Sequence, residues 1–103
     1  MSVVDYTEKI AYSKTGPNKV VLSETTHARS TLWCLLPGQH IHAHVHGGDH
    51  IWVVFEGEGH LLGLADEPLV KAGETAFLPS GQAHGIDNRG QHGLVFLSIS
   101  AGA

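Results

Sequence analysis

The chain has 103 residues, room for one compact domain and not for two. With 42% apolar and 16% charged residues it has the composition of a folded globular protein, not of a disordered or fibrous one. Six scattered Lys and Arg against ten Asp and Glu leave a net charge of −4, which offers no basic footprint for nucleic acid, and the single cysteine excludes an intrachain disulfide.

From the N-terminus, MSVVDYTEKI has no basic segment followed by an apolar run, and no stretch approaches the roughly eighteen apolar residues of a membrane helix. The expectation is a soluble, cytoplasmic protein with no membrane partner. Short β-branched and apolar runs then recur between Gly, Pro, Asn and Asp clusters. They predict strands over 9–13, 19–24, 28–36, 39–46, 51–56, 60–64, 74–78, 84–87 and 94–100. Thirteen glycines and four prolines mark turns such as TGPN, LPGQ, GGD, EGEG and PSGQ. No dozen residues carry an apolar repeat at helical spacing, so helix is expected to be minor. The predicted class is all-β, an antiparallel sandwich or barrel, with Phe77 and Phe96 in its core. Trp33 and Cys34 have opposite parity on one strand. One of them faces inward, and the sequence does not say which.

The densest chemistry is HIHAHVHGGDH, which holds five of the nine histidines. His40, His42, His44 and His46 alternate with Ile41, Ala43 and Val45, so a regular strand would point all four histidines one way. A solvent-facing stripe explains one or two histidines. It does not explain four in succession, where Lys, Glu, Thr or Ser would serve. Imidazole is a strong ligand for Mn, Fe, Co, Ni, Cu and Zn. A pair at i and i+2 on a strand can chelate one ion, and His50, after the GGD turn, can add a third nitrogen. From His50 the parity carries Trp52 and Val54 onto the same inward face.

Gly38, His44, His46, His50 and Gly57 follow the spacing of the first motif of the cupin superfamily, which normally has Glu where this chain has His50. Fifteen residues on, Gly73, Pro79, Gly81, His84 and Asn88 fill every fixed position of the second, G-x5-P-x-G-x2-H-x3-N. The chain thus resembles a small single-domain cupin over residues 1–103, with motif one at about 38–57 and motif two at about 73–88. The resemblance implies an antiparallel double-stranded β-helix, or jelly-roll barrel, and a metal held by His44, His46, His50 and His84. It leaves His40 and His42 outside the ligand set. His42, nearer the mouth, and Trp52, as a pocket wall, are the candidate catalytic residues. His27, His60 and His92 fit no ligand spacing.

Histidine at position 50 changes the chemistry expected of such a site. Four neutral imidazoles leave a divalent ion near +2, where three and a carboxylate leave it near +1, so the ion is the stronger Lewis acid. Four protein ligands on an octahedral ion leave two positions open, whereas tetrahedral zinc would be closed. One divalent Mn, Fe, Ni, Co or Cu ion is therefore expected before Zn. Asp49 is read as a turn residue, with a supporting role for His50 as the alternative. The implied function is oxygenase-type chemistry on a small enolic, diketone or phenolic molecule. Isomerase or lyase chemistry, or non-catalytic binding of a ligand or metal, are the alternatives. Cupins commonly pair edge strands, so a homodimer is expected, with the run from Val3 to Ser13 as the interfacial strand.

Overall fold

A computed structural model describes residues 2–102 of the chain. One 3-10 turn, Tyr6–Glu8, precedes nine strands: β1 (Asn18–Glu24), β2 (Ala28–Leu35), β3 (His40–Val45), β4 (Asp49–Glu56), β5 (Glu58–Leu62), β6 (Leu69–Lys71), β7 (Thr75–Leu78), β8 (Ala83–Asp87) and β9 (Leu94–Ala101). They form a five-stranded sheet in the order β1-β2-β9-β4-β7 and a four-stranded sheet in the order β3-β8-β5-β6. Every recorded pairing is antiparallel. The all-β expectation holds, and the arrangement is a double-stranded β-helix. Among the described residues no helix is long and apolar enough to cross a membrane.

Strand parity decides the core. Leu35, Trp52, Val54, Leu61, Val70, Ala76, Leu78, Ile86, Leu94 and Phe96 are buried between the sheets as one cluster. Removal of this apolar surface from water is the main force holding the sheets together. Towards the other end of the sandwich, the inward positions become Thr31 and Ser98 on the large sheet and His84 on the small one, also buried but polar. The sandwich is thus greasy at one end and polar at the other.

Three expectations are corrected. The run over 9–13 is not a strand. Asp5 caps the 3-10 turn by accepting the Thr7 N–H at 3.0 Å, and Tyr6 and Ile10 then pack on Leu32, Cys34 and Val95. The Tyr6 ring lies 4.3 Å from that of Phe55, and its hydroxyl donates to Glu56 at 3.1 Å. Tyr6 and Ile10 thus cover the outer face of the large sheet, while Val3, Val4 and Tyr12 of the same segment stay exposed. Second, Leu69–Lys71 forms a short strand that three residues of sequence pattern do not announce. Third, Phe77 is 74% exposed, because Ala76 and Leu78 take the inward parity of β7. Phe96 is fully buried, as expected.

Irregularities in the ladder aim the histidines. Ile41 pairs with Ile86 and His44 with His84, so β3 spends three residues where β8 spends two. That extra residue is a bulge, and it overturns the regular alternation expected of the four histidines. Ile41 packs on the core, while the two histidines before the bulge and the two after it part company. Gly85 faces this bulge: a Cβ there would sit 2.3 Å from the Ile41 carbonyl oxygen and 2.6 Å from the Ala43 nitrogen. Only glycine lets the two backbones approach so closely.

Candidate metal centre

His44, His46, His50 and His84 line one cavity of about 500 Å³ at the polar end of the sandwich. His44 sits at the end of β3 opposite His84 of β8, and His46 follows β3 directly. His50 opens β4 between Ser100 of β9 and Leu78 of β7. Four imidazoles from two sheets thus face each other. Ring centres lie 4.0 Å apart for His44–His46, 5.1 Å for His46–His50, 5.0 Å for His46–His84, 4.9 Å for His50–His84 and 6.1 Å for His44–His84. Imidazoles bound to one ion at about 2.1 Å have ring centres roughly 4.6 Å apart when cis and roughly 6.5 Å apart when trans. Four of the five spacings fall in that range, and His44–His46 at 4.0 Å is closer than a shared ion would hold them. As the side chains stand, however, no three His, Cys, Asp or Glu donors among the described residues are drawn together as a formed ion site.

Two further observations bear on the fit. Nδ1 of His44 lies 2.7 Å from the His42 carbonyl oxygen, and Nδ1 of His84 lies 2.9 Å from that of Gln82. A carbonyl can only accept, so in both rings Nδ1 carries the proton and Nε2 keeps its lone pair. Such carbonyl anchoring is the usual support of a ligating histidine. His50 differs, because its buried Nδ1 has no partner among the described residues. An unpartnered buried nitrogen beside three imidazoles is a site that coordination would satisfy. Burial first, then the neighbouring His44 and His84 rings, holds His46 below the ordinary histidine value of 6.5. Burial, then His84 and His46, does the same for His50, with Asp49 opposing. Both rings are neutral at physiological pH, the form a metal takes.

Trp52 is a wall of the cavity. Its ring stands edge-on to His84 at 5.3 Å, and its Nε1–H donates to Ser98 Oγ at 3.0 Å in the buried layer. His42 is exposed with its ring against His40 at 4.5 Å, outside the cavity lining. What it brings to the site is the carbonyl that orients His44. Trp33, not Cys34, takes the inward parity and lines the cavity, while Cys34 is buried against Leu32 and Val95. Asp49, at the start of β4, accepts the Ser80 N–H at 3.0 Å, a long-range tie and not the local turn bond expected of it. Sequence reasoning missed Lys19, Arg29, Thr31, Ser98 and Ser100, which also line the cavity. Their alternation along β1, β2 and β9 was visible, but only the order β1-β2-β9-β4 of the large sheet brings them towards the histidines.

The model for a cupin domain matches residues 31–100. The chain is 30% identical over 101 residues to the oxalate-binding protein of Thermotoga maritima, covering 89% of this chain and 84% of that one. A crystal structure from Thermus thermophilus superposes with a TM-score of 0.93 at 29% identity, covering 99% of this chain and 98% of the other. A predicted oxalate decarboxylase from Thermotoga maritima superposes with a TM-score of 0.79 at 28% identity, covering 84% and 81%. With both motifs in place on a double-stranded β-helix, and the family model spanning most of the strands, the chain belongs to the cupin family.

Proposed function

We propose that this cupin is a metal-dependent enzyme that holds one divalent transition-metal ion on His44, His46, His50 and His84. Mn, Fe, Co, Ni or Cu suits the set better than Zn. Its reaction is oxygenase-type, on a small enolic, diketone or phenolic molecule. The observation that carries this is the four facing imidazoles, two of them with Nδ1–H tied to a carbonyl and Nε2 left with its lone pair. When bound, a divalent ion with two open positions supplies Lewis acidity and a place for two oxygen donors. The chain's own part is to orient and to shelter. The His42 and Gln82 carbonyls fix two rings, and Trp52, pinned by Ser98, forms a dry wall beside His84. None of the four ligand positions is a carboxylate, so an anionic donor on the substrate meets no like charge among them.

Metal content by plasma mass spectrometry on untagged protein, beside His50→Ala and His84→Ala, is the test. We expect about one equivalent of a redox-capable ion in the wild type and a clear loss in both variants, after which oxygen uptake is measured with diketones and enols. A wild type that takes up no ion on reconstitution overturns the proposal. A second reading, non-catalytic binding of a small acid, is favoured by the likeness to a protein named for oxalate binding. Tight binding of oxalate without turnover or oxygen uptake would select it.

A further inference from the structure

The cavity carries a charge pattern that the histidines do not explain. Lys19 and Arg29 line it, two of only six Lys and Arg in a chain with ten Asp and Glu. Among the described residues no Asp or Glu lines it.

Register places these cations. Arg29 of β2 pairs with Ser100 of β9, and Ser100 pairs with His50 of β4. Thr31, Ser98 and Trp52 form the next inward row of the same sheet, and Lys19 of β1 pairs with Trp33 one row further. Strands lie about 4.8 Å apart, so Arg29 stands roughly 10 Å from His50 at Cα, with a serine hydroxyl between them. Glu24 takes the Nε edge of Arg29 at 3.1 Å. Among the described residues no hydrogen bond uses the Nη edge of that guanidinium, which leaves two more N–H donors for a second carboxylate.

We propose that Arg29, assisted by Lys19, is an anion subsite that selects the substrate's far end. The ligand class is a small acid with an oxygen-donor head at the histidines and a carboxylate tail reaching the Arg29 row, past the hydroxyls of Ser98 and Ser100. This deepens the proposed function and rests on it for the head group only. Oxalate, whose carboxylates are adjacent, is too short to occupy both ends. A cavity of about 500 Å³ also leaves room for a longer molecule.

The test compares two probes that differ in the tail alone, 2-oxoglutarate and 2-oxopentanoate, by calorimetry on cobalt-loaded protein and by perturbation of its visible spectrum. The wild type is expected to bind the diacid at least about tenfold more tightly, the worth of one charge-assisted contact. Arg29→Gln should abolish that preference and leave 2-oxopentanoate and oxalate unchanged. Lys19→Gln should reduce the preference in part. Glu24→Gln, which frees the Nε edge, should keep or increase it. Equal affinity for the two probes in the wild type, binding of neither, or an Arg29→Gln variant that weakens both alike overturns the subsite. His84→Ala separates the two readings. Cobalt uptake unchanged in that variant sinks the metal centre, whereas a cobalt-loaded wild type that binds neither probe, or both alike, sinks the subsite alone.

Discussion

Asn88 shows how much one side chain can hold. It is fully buried, and its amide donates to the Leu35 carbonyl at 3.1 Å and the His92 carbonyl at 2.9 Å, while Oδ1 accepts the Gly90 N–H at 3.1 Å. Its backbone exchanges with Gln39 and Gly38 besides. Asn88→Ala strands the buried Leu35 carbonyl and two partly buried groups and opens a small void, so it should cost about 2 kcal/mol in denaturant unfolding. A loss below about 1 kcal/mol would mean that water replaces the amide. Cys34 makes a different case, a buried thiol packed as a small hydrophobe against Leu32 and Val95. Burial is the first cause raising its thiol above the ordinary value of 9.0, against a hydrogen bond with the Ala11 backbone that lowers it. A raised value keeps the thiol protonated at neutral pH, so Cys34 should resist a thiol reagent in the native protein and react at once in denaturant. Rapid native labelling would show that the N-terminal cover opens readily.

At the scale of the element, the β3 bulge separates a cavity-facing pair of histidines from an outer pair. Both motifs were legible as residue spacings, and Gly38 and Gly81 sit at positive φ of 87° and 86°, where a turn needs glycine. The bulge was not legible. Strict alternation from His40 to His46 reads as a regular strand, and only the ladder against β8 shows the extra residue. Gly85 lies between the fixed positions of the second motif, with no signal of its own. Gly85→Ala should push β3 off β8, because its Cβ would meet backbone, which cannot rotate away. We expect a loss of about 2 kcal/mol in stability, with metal affinity falling by roughly tenfold or more, read by competition with a chelator. Unchanged affinity in a folded variant would show that the His44–His84 alignment does not depend on this close approach.

For the whole molecule, the expected homodimer is a matter of surfaces. Tyr6 and Ile10 of the N-terminal run pack on the large sheet of the same chain, and residues 9–13 form no strand there. Phe77 is 74% exposed on β7, an edge strand of the large sheet. An exposed aromatic on an open edge is a hazard for an isolated chain and suits a contact between copies. Light scattering should give twice the chain mass, falling to one chain in Phe77→Glu. A monomeric wild type would end the expectation.

The amino-acid order alone settled the strand-rich class, both motifs and the four histidines that share the cavity. These signals are local: glycine and proline punctuate turns, and the metal-type spacing lies within stretches of about twenty residues or fewer. The structure alone decided which of Trp33 and Cys34 faces the cavity, that His42 contributes a carbonyl while its ring lies outside, and that Arg29 shares a row with His50. Those depend on pairing between strands distant in sequence and on one inserted residue. A single slip in register reverses every side chain's face, and no periodicity within one strand records its partner.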